Sequence, residues 1–201
     1  MTTGEASERY DRIFSGHPPS LESTRLILRP FVAADAADVE RLAGDFQVAK
    51  TLLSMPHPYP PGAALEWISK HDELWRARKE VPFAIARRDR GGALSGAIAL
   101  HFALDHHHAE VGYWIARASW GDGVASEATR AVLQWAFTDL ELHRVFARHM
   151  ATNPASGAVM RRNGMRQEGT LRQHHWKHGR HHDFHVYGIL RAEFLAAQTD
   201  P

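Results

Sequence analysis

The segment that most constrains the fold of this chain joins a strand to a helix through two glycines. Residues 110–116 (EVGYWIA) form an extended apolar stretch, and residues 118–128 (ASWGDGVASEA) open a helix that runs to about residue 140. Gly121 and Gly123 leave the loop without bulk, so backbone N–H groups can approach a ligand closely. The helix N-terminus adds partial positive charge and unpaired donors, which suit a phosphate. A turn that merely needs glycine is the alternative interpretation.

Motif and composition exclude several classes of protein. The glycine loop lacks the third glycine of a dinucleotide fingerprint and the Lys-Ser/Thr pair of a P-loop. The 201 residues suffice for a proper core, and a net charge of +1 gives no sign of a nucleic-acid or membrane partner. The chain has no cysteine and hence no disulfide. No apolar run approaches the roughly 18 residues that span a bilayer, and no signal peptide is recognisable, so we expect a cytoplasmic protein.

Residue patterns divide the chain into one folded unit with short ends. Residues 1–20 are polar and end in GHPPS, which predicts a flexible N-terminal extension. Residues 21–195 form the predicted domain, and residues 196–201 form a predicted C-terminal tail. The sequence contains no internal repeat and no sign of a second domain.

The predicted domain combines helices with a mostly antiparallel sheet. Seven segments have the composition and pattern of strands: 21–31, 82–87, 93–100, 108–117, 144–151, 165–173 and 184–191. Helical spacing marks four others: 33–43, 62–79, the stretch after the glycine loop, and 155–163 with Gly164 as its C-cap. We expect an α+β fold, with a sheet of about seven strands and helices on both faces.

Two of the predicted helices have a clear apolar face. In the helix 62–79, one side is expected to carry Leu65, Ile68 and Trp75. In the helix after the glycine loop, the expected buried stripe consists of Ala128, Val132, Trp135 and Ala136. These faces are the predicted contacts between the helices and the sheet.

Short motifs occur in a specific order from about residue 21 to 194. They are TRLILRPF (24–31), PHPY (56–59), EVGYW (110–114), WGDGVA (120–125), NPAS (153–156), RNGM (162–165) and EGTLR (168–172). In order and spacing this set resembles the GNAT superfamily of N-acetyltransferases, and most closely its branch of ribosomal-protein N-terminal acetyltransferases. The resemblance implies a GNAT-like fold, acetyl-CoA as co-substrate, and transfer of an acetyl group to a primary amine. The amine would attack directly, through a tetrahedral intermediate.

The resemblance also implies which residues hold acetyl-CoA. The pyrophosphate would lie against the loop and the start of the helix, at Trp120, Gly121, Asp122, Gly123, Val124, Ala125 and Ser126. The preceding strand would pair with the pantetheine arm through the backbone of Trp114, Ile115 and Ala116, where an N–H would also face the oxyanion. Asn153 would contact the same arm, or merely cap its helix. The superfamily often has Gln or Arg where this chain has Trp120, so binding would rest on backbone amides.

Glu110 is the candidate general base. It lies four residues before Trp114 on the same predicted strand, where residues two and four apart share a face. An ordinary solvated glutamate is the alternative. An α-amine with a pKa near 7.8 is roughly 10–15% neutral at pH 7, whereas a lysine near 10.4 is only ~0.04% neutral. A modest base, or a water chain from Glu110, would therefore suffice for a protein N-terminus.

Ser156 is the candidate proton donor to the departing thiolate. The resemblance places this serine near the sulfur, although helix capping is the plain alternative. Many superfamily members have a tyrosine four residues later, where this chain has Met160, which cannot donate a proton. Either Ser156 or a water takes the role, or no acid is needed, because a thiol with a pKa near 8.5 is a tolerable leaving group unprotonated.

Histidine is frequent, at 15 residues, and occurs in clusters at 106–108 and 174–185. Such density could bind Zn²⁺ or Ni²⁺, but no cysteine or tight carboxylate partner marks a structural site, so we predict no metal centre. By resemblance the second cluster falls in the hairpin between the last two strands, next to the substrate entrance. A solvated loop and a contact with the acceptor both remain open for it.

Four hypotheses follow for function. The leading one is acetylation of a protein α-amine, such as the N-terminus of a ribosomal protein. The alternatives are acetylation of a small amine (an amino acid, a polyamine or an antibiotic), a non-catalytic acyl-CoA-binding module, and a His-rich metal-binding protein. The sequence leaves a monomer and a homodimer equally open.

Overall fold

One eight-stranded sheet organises residues 3–199, the part of the chain that the computed structural model describes. Its strands are β1 (Leu21–Glu22), β2 (Leu26–Pro30), β3 (Glu80–Arg87), β4 (Ala93–Ala103), β5 (His108–Ile115), β6 (Arg144–Met150), β7 (Arg166–Lys177) and β8 (Arg180–Leu190). They lie in the order β1-β2-β3-β4-β5-β6-β8-β7, and all neighbours are antiparallel except the parallel pair β5 and β6. The predicted α+β fold is confirmed. The eighth strand arises because the expected strand 21–31 is interrupted between β1 and β2.

Helices cover both faces of this sheet. They are α1 (Thr3–Phe14), α2 (Ala36–Ala43), α3 (Phe46–Ala49), α4 (Ala63–Ser69), α5 (His71–Arg76), α6 (Val124–Thr138), α7 (Pro154–Arg162) and α8 (Arg191–Thr199). Phe83 of β3 points into the larger core, which also receives α1, α5, α6 and α8, and its neighbour Ala84 points into the smaller core under α2, α3 and α4. None of the helices within residues 3–199 combines the length and apolar character that a bilayer crossing requires.

Strand β5 separates the two cores at the centre of the sheet. Val111 and Ile115 are buried in the larger core, and Trp114 is buried in the smaller one. The pairing of β5 with β4 has no register shift, so side chains alternate strictly between the faces. Glu110 therefore lies on the same face as Trp114, as the spacing predicts.

The glycine loop ends where α6 begins. Gly123 is the N-cap residue and has a left-handed φ of 78°, a conformation that glycine adopts without steric cost. The helix ends at Thr138, close to the predicted end. The predicted stripe is confirmed, since four residues are buried: Ala128, Val132, Trp135 and Ala136.

The N-terminal segment differs from the flexible extension expected for residues 1–20. Residues from Thr3 form α1, which buries Ala6, Tyr10 and Phe14 at four-residue spacing in the larger core. Their polar neighbours hide this stripe in the composition of the segment. At the other end, α8 continues through four residues of the predicted tail, 196–199.

The prediction of one continuous helix over 62–79 is wrong, and so is one of the residues predicted to face the core. It divides into α4 and α5 at Lys70, and Leu65 is 48% exposed. Ala64 and Ile68, four residues apart, take the buried positions of α4 instead. A small alanine thus packs where the sequence suggested a leucine.

The last two strands are longer than predicted. Strands β7 and β8 extend to Lys177 and from Arg180, so the histidines of 174–185 lie mostly on a hairpin with a short turn at His178 and Gly179. The hairpin tip is attached to the rest of the protein. The Lys177 ammonium donates a hydrogen bond of 2.9 Å to the carbonyl oxygen of Ala49, and it also contacts that of Leu52.

Candidate active site

The strands β5 and β6 separate soon after they meet. They pair only over His108–Glu110 and Arg144–Phe146, and the described remainder of β5 has no strand partner on that side, although the Ile115 carbonyl there accepts a hydrogen bond of 2.8 Å from the Trp120 indole. The gap between them opens into a groove of about 1130 Å³. The groove is bounded by β4, β5, β6, the start of α6, α7 and the segment 47–56. An open edge of backbone groups thus faces a cavity large enough for a substantial ligand.

The glycine loop and the start of α6 form one end of this groove. Gly121 has φ +82°, and a Cβ added there would meet nothing within 4 Å, so space lies beside its backbone. Trp120, Gly123, Val124, Ala125 and Ser126 line the groove with it. The Ser126 hydroxyl is buried and has no hydrogen-bond partner among the described residues. The unpaired N–H groups and partial charge of a helix N-terminus complete a site suited to a phosphate.

Asp122 turns away from the groove and anchors the loop. Its carboxylate pairs at 2.5 Å with Arg87, the last residue of β3, and at 3.4 Å with Arg90 in the turn that follows. It does not line the groove. The side chain predicted among the cofactor-binding residues therefore contributes by fixing the loop.

Arg25 brings a cation to the loop that sequence reasoning missed. Its guanidinium lies 3.5 Å from the point that a Cβ on Gly123 would occupy. It is held by the carboxylate of Glu127, with a hydrogen bond of 2.8 Å from Nε. The two residues are about 100 positions apart in the chain, so only the fold reveals this pair. Arg25 is paired with Glu127 and is not among the residues that line the groove, so the expectation that binding rests on backbone amides stays a prediction.

The backbone of β5 identifies which amides face the gap. The N–H of Ala116 donates to the carbonyl oxygen of Ser95 on β4, at 2.8 Å. The N–H of Ala116 is thus not free to pair with a pantetheine arm, in contrast to the expectation for this position. Because amide directions alternate along a strand, the N–H groups of Tyr113 and Ile115 face the open side. Trp114 and Ile115 are also buried core residues, as the sequence allowed.

Glu110 lies in the groove, but its carboxylate is paired. The guanidinium of Arg148 on β6 donates to both of its oxygens, at 2.9 and 2.8 Å. On β4, His101 lies directly opposite Glu110, and on β3 Glu80 lies opposite His101. All four of these residues line the groove: Glu80, His101, Glu110 and Arg148. The sequence indicated only Glu110, because the other three lie on different strands.

Ser156 and Tyr113 form a hydroxyl pair on the opposite face of β5. The two oxygens are 2.8 Å apart, and both residues line the groove. Burial raises the pKa of the Tyr113 phenol to about 12, so it stays protonated at neutral pH. Met160 is buried, as a thioether in a core should be. The Asn153 side chain makes no capping hydrogen bond in the described structure and lines the groove, so plain capping does not explain it.

The histidine hairpin borders the groove without entering it. Its buried neighbour Phe184 lines the groove, whereas no histidine of 174–185 does. Rings of His174 and His175 pack edge-on against Phe184 at 6.0 and 5.9 Å. Within the described residues, no group of three or more His, Cys, Asp or Glu side chains is placed to hold a metal ion.

A gap between parallel strands beside a glycine loop and a helix N-terminus defines a site for an extended, phosphate-bearing ligand. Residues 25–166 match the family model described as an acetyltransferase (GNAT) domain. The chain is 31% identical over 174 residues to the uncharacterised N-acetyltransferase YoaA of Bacillus subtilis, covering 86% of this chain and 97% of YoaA. It is 33% identical over 82 residues to the ribosomal-protein-serine acetyltransferase of Escherichia coli, covering 41% and 46% of the two chains.

A solved structure gives the same result. RimJ of Mycobacterium smegmatis, in complex with CoA-disulfide, superposes with a TM-score of 0.74 at 25% identity, over 90% of this chain and 95% of RimJ. The chain therefore belongs to the GNAT family of N-acetyltransferases. It is an acyltransferase related to the ribosomal-protein acetyltransferases, and its co-substrate is acetyl-CoA.

The groove fits that co-substrate. It offers open space beside Gly121, an unpartnered buried hydroxyl at Ser126, and a strand edge with unpaired amides. Arg25 adds a cation beside the glycine loop. These features suit a pyrophosphate at one end and an extended amide-containing arm along β5.

Proposed function

We propose that this enzyme acetylates the N-terminal α-amine of a protein, such as a ribosomal protein. The observation that carries the proposal is the charge on the part of the groove lined by β3, β4 and β5, which we call the acceptor wall. Its carboxylates, Glu80 and Glu110, suit a cationic amine, and Glu110 is held by Arg148. Such a wall provides only modest basicity, which suffices for an α-amine but not for a lysine, whose neutral fraction at pH 7 is roughly 300-fold smaller. A ribosomal substrate would place the reaction in the cytoplasm.

Each end of the groove has its own task in this proposal. Acetyl-CoA supplies an activated acetyl thioester when it is bound. The amides at the start of α6, from Gly123 to Ser126, bind its pyrophosphate together with Arg25, and Asn153 binds the pantetheine arm. The N–H groups of Tyr113 and Ile115, which face the gap, pair with that arm and stabilise the oxyanion. Glu110 attracts and orients the cationic acceptor from the opposite face of β5.

Ser156 protonates the departing sulfur in this scheme. If the Tyr113 hydroxyl donates its hydrogen bond to Ser156 Oγ, the proton of Ser156 is free to point into the groove. The raised pKa of Tyr113 keeps that donor in place at neutral pH. The pair thus replaces the tyrosine that is absent at position 160.

We expect Ser156→Ala to lower kcat about tenfold and Tyr113→Phe to lower it less, because a thiolate leaves tolerably without an acid. Steady-state kinetics with saturating acetyl-CoA and peptide measures both effects. Ser119→Ala, which removes a buried hydroxyl from the groove wall, is the matched control and should keep kcat within about twofold. An unchanged kcat in Ser156→Ala would leave water as the proton source.

Mass spectrometry of acetylated products tests the function itself. Three acceptors are offered with acetyl-CoA: peptides beginning with Ala or Ser and lacking lysine, the same peptides with a blocked N-terminus and one internal lysine, and a polyamine. We expect acetylation of the free α-amine, with kcat/KM at least tenfold above that of the lysine peptide. Faster acetylation of the polyamine than of any peptide would assign the enzyme to small-molecule amines and contradict the proposal.

A further inference from the structure

Three side chains cross the acceptor wall of the groove in one row. Glu80 on β3 lies opposite His101 on β4, and His101 lies opposite Glu110 on β5. Cross-strand neighbours on one face have Cβ atoms about 4.5–5.5 Å apart, so the three side chains are within reach of one another. The row ends where β5 and β6 separate, because Glu110 is the last residue of β5 that pairs with β6.

The imidazole of His101 is oriented by one carboxylate and points towards the gap. Its Nδ1 lies 3.4 Å from the Glu80 carboxylate. Its Nε2 lies 3.9 Å from the point that a Cβ on Gly112 would occupy, so the absent side chain leaves that nitrogen accessible. About half of the His101 side chain is exposed to solvent, and the residue lines the groove. A carboxylate on one ring nitrogen fixes the tautomer in which the other nitrogen can accept a proton.

The other titratable group at this point is less able to act. Both oxygens of Glu110 accept hydrogen bonds from Arg148, so this carboxylate is fixed in a two-pronged ion pair, whereas His101 Nε2 makes no hydrogen bond among the described residues. We propose that His101, positioned by Glu80, is the general base that takes the proton from the acceptor amine. This inference rests on the proposed function, and it identifies the residue that makes an α-amine reactive at this site.

The proton balance of the step is simple. The cationic amine first gives one proton to His101 Nε2, which passes it to water, and the neutral amine then attacks the thioester carbon. As the N–C bond forms and the C–S bond breaks, the nitrogen gives a second proton to His101 Nε2. The exposed side of the ring then releases that proton to water. The sulfur receives its own proton from Ser156, which is replenished from solvent. Glu80 does not exchange protons in this scheme and only positions the ring.

The charged groups around His101 change the pKa of its imidazole. The Glu80 carboxylate, 3.4 Å from the ring, raises the pKa of His101 above the usual imidazole value, and the charge of Glu110 acts in the same direction. Burial and the charge of Arg148 oppose them. The net result is a raised pKa, so His101 loses its proton, and becomes able to act as a base, at a higher pH than a free imidazole.

The pH dependence of kcat tests the assignment, because kcat reports the ionisation of the enzyme–substrate complex. With saturating acetyl-CoA and an Ala peptide, wild-type kcat should rise with pH as His101 loses its proton. We expect His101→Gln to lower kcat at pH 7 at least tenfold and to move this ascending limb of the pH–rate profile up to the ionisation of the acceptor amine itself, which is near pH 7.8 for a free α-amine. Glu80→Gln should keep the limb but move it to lower pH, since the neighbouring negative charge is gone. His106→Gln, an exposed histidine outside the groove, should behave as wild type.

Other outcomes overturn the assignment. A limb that stays at its wild-type pH in folded His101→Gln and moves up in pH in Glu110→Gln would make Glu110 the base. A limb that stays at the same pH in Glu80→Gln would remove the positioning role of Glu80. If wild-type protein acetylates no peptide α-amine, the proposed function has failed, and this is seen before any variant is measured. If wild type is active and His101→Gln retains its kcat, the inference alone has failed.

Discussion

Gly123→Glu should abolish acetyl-CoA binding while the protein stays folded. Gly123 is the N-cap residue of α6 and lines the groove, and a glutamate there would begin 3.5 Å from the Arg25 guanidinium, next to the proposed pyrophosphate position, and bring a like charge to it. Like-charge juxtaposition costs several kcal/mol, which corresponds to more than about 100-fold in Kd. Calorimetric titration of acetyl-CoA measures the loss, and circular dichroism confirms the fold.

The control for this substitution is Gly91→Glu. Gly91 also has a left-handed φ, +63°, and open space around its missing side chain, but it lies in the turn between β3 and β4 outside the groove. It therefore reproduces the backbone strain, about 1–2 kcal/mol, without the charge at the proposed phosphate position. Unaltered affinity in folded Gly123→Glu would show that the loop does not hold the pyrophosphate.

Gly96→Ala should give the largest loss of stability among single-methyl substitutions in the sheet. A Cβ on Gly96 would overlap the carbonyl oxygen of Trp114, and it would lie 3.1 Å from the Cα of Ile115. Both contacts are backbone, so relief requires β4 and β5 to move apart. Overpacking of this kind costs about 1–3 kcal/mol, or roughly 2–12 °C in Tm for a domain of this size.

Thermal unfolding of Gly96→Ala is to be compared with that of Gly169→Ala. Gly169 lies in β7, where an added Cβ meets nothing within 4 Å, so its Tm should change by no more than about 2 °C. We also expect the folded Gly96→Ala protein to bind acetyl-CoA more weakly, because the displaced segment carries the amide of Ile115. Equal Tm values for the two variants would mean that the sheet accommodates the methyl group.

Local patterns predicted the parts of the fold that depend on local physics. The buried stripe of α6 and its glycine start follow from helical spacing and from backbone freedom, both of which are visible in the sequence. The face shared by Glu110 and Trp114 follows from strand alternation. By contrast, α1 was missed because its three buried residues are separated by polar ones that suggested an unstructured segment.

The chemistry of the site depended on contacts that no local pattern contains. Arg148 is 38 residues from Glu110, and its pairing with that carboxylate changes which group can take a proton. His101 stands apart from both histidine clusters, and only the register of β3, β4 and β5 places it between two carboxylates. The motifs and the family resemblance thus suggested segments that line the groove, and strand pairing shows which side chains meet within it.

Helix α1 has a consequence for anyone who shortens this protein. Phe14 packs against Trp75 with ring centroids 4.3 Å apart, and the Trp75 indole donates a hydrogen bond of 2.7 Å to the carbonyl oxygen of Gly16. Trp75 in turn stacks near Trp135 of α6, the helix whose first turn forms the glycine-loop end of the groove. A truncated protein that begins at residue 21, designed because residues 1–20 are polar, would expose this aromatic stack to water. Enzymology and crystallisation are therefore best done with residues 1–20 intact and any affinity tag at the C-terminus.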